Sequence, residues 1–192
     1  QLPKGFPTPG TSAYRNAWQE TIKAAEAYND PGRFTAFIGY EWTSNYGGGN
    51  NLHRNVIYRD GKDKADQVLP YTTFQSENPE DLWKWMTAWE AKTGGKLLAI
   101  PHNGNLSNGR MFTVETFGGK PLTKEIATLR ARFEKLIEVT QIKGDGEAHP
   151  VLSPNDEFAG YEVWDKSNLN GTEAKKPEML QWEYATGKEL RF

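Results

Sequence analysis

Residues 34–59 read FTAFIGYEWTSNYGGGNNLHRNVIYR. The first nine, Phe34–Trp42, form a short apolar run rich in aromatic and β-branched residues, the signature of a buried strand. Asn45–Asn51, NYGGGNN, is a glycine-rich loop, and Leu52–Arg59, LHRNVIYR, reads as a second strand. The second strand follows so short a loop that it can pair with the first as a hairpin or continue a parallel sheet.

Upstream of this stretch, Asn29-Asp30-Pro31-Gly32 is a turn signal. A helix is expected before it, over 13–28, capped by Thr11 or Ser12, with Ala13, Ala17, Ala24, Ala25 and Tyr28 among its apolar positions. Residues 1–12, with three prolines and two glycines, read as a tail or linker, leaving 13–192 as one α/β domain. Downstream, Asp60–Pro70 is polar. Asn78-Pro79-Glu80-Asp81 starts a helix, with proline in its first turn and acids where the dipole favours them. Leu82, Trp85, Met86 and Trp89 share one face of it, and Gly94-Gly95 ends it. Trp83, Trp85 and Trp89 read most simply as core or contact residues.

KLLAIPH over 96–102 is a third strand, and 103–121 a long glycine-rich loop. A helix over 122–133, a strand LIEVTQI over 136–142, a polar stretch and a closing helix over 173–185 complete the chain. This alternation predicts an α/β fold with a largely parallel sheet: strands at 34–42, 96–101 and 136–142 side by side, and helices packed outside.

Lys and Arg number 23 against 25 Asp and Glu, a net charge of −2, which argues against a nucleic-acid binder with a basic surface. No apolar run approaches the ~18 residues of a membrane span. Cysteine is absent, which removes thiolate catalysis, disulfides and Cys-based zinc fingers. The chain opens without Met and stops just after a helical pattern. It therefore reads as a piece of a larger protein, whose remaining chain is its expected partner.

Three histidines are present, and two of them sit at strand edges: His53 begins a strand and His102, in IPHNGN, ends one. Glu41 lies near the end of an apolar strand, beside Tyr40 and Trp42. A carboxylate there is costly to bury unless it is paired with an arginine such as Arg54 or binds a metal. Arg110, in the loop after His102, is a candidate for gripping a substrate anion. Lys143 and His149 flank the GDGE turn and are further candidates facing substrate. Gly47-Gly48-Gly49 lacks the GxxxxGK[ST] frame of a phosphate loop.

The set GYEW at 39–42, NLHRNVIY at 51–58, IPHNGN at 100–105 and EVTQIKGDGEAHP at 138–150 resembles the bacterial domain-of-unknown-function family 3604. The resemblance runs from about Asn29 onward. That family is in turn similar to the polymerase and histidinol phosphatase (PHP) superfamily. The resemblance implies a partial PHP-like distorted (β/α)7 barrel, mostly parallel, with outer helices and metal ions at the C-terminal strand ends. Glu41 resembles that superfamily's strand-end Glu, His53, 12 residues on, the His that follows it, and His102 the strand-end His. Glu138 resembles a more variably used acid. The superfamily's His-x-His and Asp-x-His motifs are not found in this sequence.

The resemblance thus implies part of a metal-dependent hydrolase, phosphoesterase-like. Its metal ligands are Glu41, His53 and His102, with Glu41 and His102 catalytic. The cofactors are divalent zinc, manganese or iron, and the substrate is a small-molecule ester. Phosphate monoesters, diesters, sulfate esters and phosphonates all suit such a cleft. It further implies a bacterial protein, periplasmic or exported rather than cytoplasmic, and a segment that alone binds metal weakly and turns nothing over. The alternative is a carbohydrate- or ligand-binding module without catalysis, built on the seven Trp and eight Tyr.

Overall fold

The computed structural model describes residues 6–185. Helix α1 runs Ser12–Tyr28, with the Thr11 side chain accepting from Tyr14 N at 3.2 Å as the expected cap. Trp18 and Ile22, four residues apart, are its buried pair, whereas Tyr28 is exposed. The chain then builds strands β1, Gly39–Trp42, and β2, Arg54–Tyr58, helix α2, Pro79–Thr93, strand β3, Leu97–Pro101, and helix α3, Lys124–Phe133. Asn78 caps α2 through Glu80 N, and Gly94, at φ 71°, ends it in the left-handed conformation that favours glycine.

The sheet corrects the expected architecture. Its order is β1-β2-β3, and both pairings are antiparallel: Trp42 opposes Arg54, and Arg54 opposes Pro101. A second ladder joins only Thr140–Gln141 to Gly144–Asp145. The mostly parallel, partial (β/α)7 barrel is not formed. Between β1 and β2 the chain holds a hairpin-like loop with one short turn at Tyr46–Gly49, and a parallel crossover needs about a dozen residues or more, usually with a helix.

The β2–β3 connection is long and does contain a helix, but it crosses the sheet twice. Ser44 Oγ donates to Glu77 O, which puts the start of α2 at the Trp42 edge. Lys96 N donates to Asp60 Oδ2, which returns its end to the Tyr58 edge. Residues 61–77 carry the chain one way and α2 carries it back, so β3 starts where β2 stopped.

Other elements are shorter than expected. Phe34 and Phe37 are exposed, and only the end of the 34–42 run pairs within the sheet. At Gly39 a Cβ would lie 2.9 Å from Val56 O, so the two strands approach too closely there for a side chain. LIEVTQI is not a third neighbour of the sheet: Leu136, Val139 and Ile142 are exposed, and Glu138 N makes one bond to Pro101 O. The closing helix is a 3-10 turn at Pro177–Trp182.

One face of the sheet and the helices share a core of Trp18, Ile22, Trp42, Val56, Tyr58, Leu82, Met86, Trp89, Ala99 and Phe133. Burying each of the larger chains contributes about 1.5–3 kcal/mol. Trp83 and Trp89 are buried as expected, and Trp85 stacks on Tyr71 at 5.9 Å. Among the described residues no helix is long and apolar enough to cross a membrane.

Candidate metal centre

The antiparallel topology still brings the three predicted ligands together. β1 and β3 run in the same direction with β2 reversed between them. The end of β1, the start of β2 and the end of β3 therefore share one sheet edge. Glu41 sits near the first, His53 immediately before the second and His102 immediately after the third, with His102 N donating to His53 O at 3.3 Å. One potential ligand atom from each of the three lies within 4.8 Å of the others.

The Glu41 carboxylate lies between the two rings. Its Oε2 is 3.2 Å from His102 Nε2 and its Oε1 is 3.4 Å from His53 Nδ1, while Thr43 Oγ1 donates to Oε1 at 2.6 Å. The hydrogen bond from His102, aided by Thr43 and the nearby His53, pulls the Glu41 carboxyl down to about 2. The anticipated cost of burying Glu41 does not arise. Strand alternation turns it to the outer face, where its side chain is 42% exposed. The same alternation turns Arg54 inward, away from Glu41 and onto Glu134, with Nε donating to Oε1 at 2.8 Å.

The far nitrogens of both imidazoles are engaged. His53 Nε2–H donates to Asn45 Oδ1 at 2.9 Å, and His102 Nδ1 faces Ile100 O at 3.5 Å. A bound ion would require the ring protons on these outer nitrogens instead, with His102 exchanging its Nε2–H bond to Glu41 for a lone pair, so that lone pairs from both rings point toward Glu41. Lone pairs 3.2–3.4 Å from a carboxylate call for a positive charge between them. For His53 a proton is disfavoured: burial pushes its pKa down to about 4 despite Glu41, with the Lys143 charge acting in the same direction as burial. Two imidazole nitrogens and a carboxylate oxygen suit zinc, manganese or iron.

The other candidates are dispersed. Lys143 is close enough for its charge to act on His53, and its carbonyl accepts from Asn105 Nδ2. Arg110 instead lies over the Tyr46 ring at 5.3 Å, lining a cavity that Glu41, His53 and His102 do not line. His149 is saturated: Nε2–H donates to Asp165 Oδ2 at 3.0 Å, and Nδ1 accepts from Val151 N. Glu138 stays outside the cluster and accepts from Asn103 N and Gln141 Nε2. Of the tryptophans, Trp18, Trp42, Trp83 and Trp89 are buried and Trp164 is half exposed.

Two residues beside the cluster were not singled out by the sequence. Asn45 orients His53 from eight residues away. Asn103, next to His102, takes a left-handed φ of 54° and buries a carboxamide in which neither heteroatom has a partner. Its only mark in the sequence is the Asn-Gly pair.

The chain matches the family model described as "Protein of unknown function (DUF3604)" over residues 4–190, and it belongs to that family. No curated protein matches it, and neither does any solved structure.

Proposed function

From membership of a family without an assigned activity, we propose that Glu41, His53 and His102 hold a divalent transition metal in a centre for ester hydrolysis. The observation that carries this reading is the pairing of inward ligand atoms with outward restraints. Three donors converge within 4.8 Å, and both imidazoles spend their other nitrogen on a carbonyl-type oxygen. A catalytic zinc commonly takes three protein ligands and keeps a position open. When bound, a divalent ion supplies Lewis-acid polarisation and a water acidified toward neutral pH.

The chain's own residues have separate tasks in this scheme. Thr43 fixes the Glu41 carboxylate, and Asn45 fixes the His53 ring. Lys143 adds positive charge on the His53 side, where the anionic part of a phosphate or sulfate ester would be drawn. The half-exposed Glu41 leaves the centre open to solvent and substrate.

Calorimetric titration with zinc chloride and manganese chloride tests the reading. The unaltered chain should bind one or more ions, and Glu41→Gln, His53→Ala and His102→Ala should each lower affinity at least tenfold. Metal-loaded protein is then assayed on p-nitrophenyl phosphate, bis-p-nitrophenyl phosphate and p-nitrophenyl sulfate. Affinity unchanged in all three variants would overturn the metal centre. Tight metal without turnover of any ester, by this chain or by a longer form of the protein that includes it, would remove the hydrolytic role.

A further inference from the structure

The closing segment of the chain carries a buried ion pair whose bonds run outward to backbone. The side chains of Lys175 and Glu183 are 2% and 0% exposed. Lys175 Nζ donates to both Glu183 oxygens at 2.8 Å and to Asn105 O at 2.5 Å, while Gly109 N donates to Glu183 Oε1 at 2.9 Å. The pair thus grips the loop that leaves His102 at two points. The approach is close, since a Cβ on Gly104 would lie 2.8 Å from Glu183 O. Asn105 passes the grip on: its Nδ2 donates to Lys143 O at 3.0 Å and to Trp164 O at 3.4 Å. Glu183, Lys175, Asn105 and Lys143 therefore form one hydrogen-bonded chain.

Stability does not account for the pair. Burial pushes the Glu183 carboxyl up from 4.5 to about 7 in spite of Lys175. A carboxyl raised on folding costs stability as the pH climbs between those two values, in full above the higher one. Apolar residues of similar volume often match or better a buried pair. What they cannot supply is the bonds to Asn105 O and Gly109 N. At the other end of the chain, Lys143 forms no ion pair among the described residues, and its charge acts on His53. An unpaired ammonium beside the ligand set draws an anion there.

We propose that Lys175 and Glu183 are positioning residues which, through Asn105, set Lys143 to hold the anionic group of a substrate. This rests on the reading of Glu41, His53 and His102 as a metal centre, and it names the residues that place substrate rather than metal.

The test is the double variant Lys175→Met with Glu183→Leu, which removes both charges and keeps the side chains large. Its urea midpoint should stay near that of the unaltered chain. By calorimetry its zinc affinity should change less than twofold, while inorganic phosphate should bind the zinc-loaded protein at least fivefold more weakly. Asn105→Ala, which keeps the pair, and Lys143→Gln should each weaken phosphate to the same degree, and adding Lys143→Gln to the double variant should weaken it no further. Unchanged phosphate affinity in the double variant and in Asn105→Ala would overturn the proposal. So would equal losses of zinc and phosphate, full additivity with Lys143→Gln, or failure of the unaltered zinc-loaded chain to bind phosphate at millimolar concentration. An unaltered chain that binds no zinc would remove the metal reading, and the metal-free protein then decides by nuclear magnetic resonance. A Cβ on Gly144 would lie 3.0 Å from Asn105 Nδ2, so the Asn105 carboxamide protons and those of Gly144 should show a contact that the double variant loses. Persistence of that contact would overturn the positioning role by itself.

Discussion

His53 and Arg54 are consecutive residues that serve two opposite clusters. His53 joins Glu41 and His102 at the outer edge of the sheet, an acid between two bases that can give up their protons. Arg54 joins Glu134 and Arg130 inside, an acid between two cations that stay charged. Each cluster sets one carboxylate between two basic side chains, and the inner carboxylate also accepts from Trp83 Nε1. The outer carboxylate is 42% exposed and the inner one 3%. Strand alternation alone decides which neighbour goes where. Exposure then decides the chemistry: the inner cluster is bound into the packing, and the outer one is open to a cation from solution.

The largest effect should come from breaking the inner cluster. Glu134→Gln removes the carboxylate that Arg54 and Arg130 share in a buried site, a loss of about 3–5 kcal/mol. Glu41→Gln, at a half-exposed site, should change stability by less than about 1 kcal/mol. Urea unfolding of the two variants compares them directly. Equal destabilisation would erase the distinction between a structural triad and a ligand set.

The next effect is in pH. Burial lowers His53 from 6.5 to about 4, so between those values the unfolded chain holds a proton that the folded chain does not. Stability is therefore full above 6.5 and falls as the pH drops toward 4, by 2.5 units or about 3 kcal/mol at most. Glu41, lowered from 4.5 to about 2, extends the loss in the same direction at lower pH. Metal-free protein melted across pH 4–7 should show the slope, and His53→Gln should flatten it over that window. An unchanged slope in the variant would place the proton uptake elsewhere.

Much of this was legible in the sequence, and the omissions have definite causes. Thr11, Asn78-Pro79 and Gly94 mark helix ends because capping is local. Glu41, His53 and His102 could be grouped because all three flank strand ends, but only the reversal of β2 puts its start, and with it His53, at the edge where β1 and β3 end. Strand direction could not be read. It depends on the second pass made by residues 61–77, a polar stretch with no period to reveal that it crosses the sheet. LIEVTQI has the composition of a strand, yet composition does not supply a partner, and its Leu136, Val139 and Ile142 remain exposed. The Arg54–Glu134 pair spans 80 residues, beyond any local pattern.

The smallest effect tests how the outer cluster is held. Asn45 Oδ1 accepts from His53 Nε2 at 2.9 Å, and its loop is fastened by a distant turn: Leu169 N donates to Gly49 O, and Asn170 Nδ2 donates to Gly48 O. Without that acceptor the imidazole loses the bond that keeps its Nε2–H tautomer and directs Nδ1 at Glu41. Outer partners of this kind commonly account for about 10–100-fold in metal affinity. Asn45→Leu should therefore cost roughly tenfold in zinc affinity, about 1.4 kcal/mol, with little change in the urea midpoint. Asn45→Asp restores an acceptor and should recover the affinity. Imidazole ¹⁵N shifts of His53 separate orientation from general damage, because a merely structural role for Asn45 would leave the tautomer as it was. A leucine variant that keeps both tautomer and affinity would reduce Asn45 to a loop residue. The outer cluster would then be held by Thr43 and the sheet edge, with Glu41 rather than His53 as its fixed member.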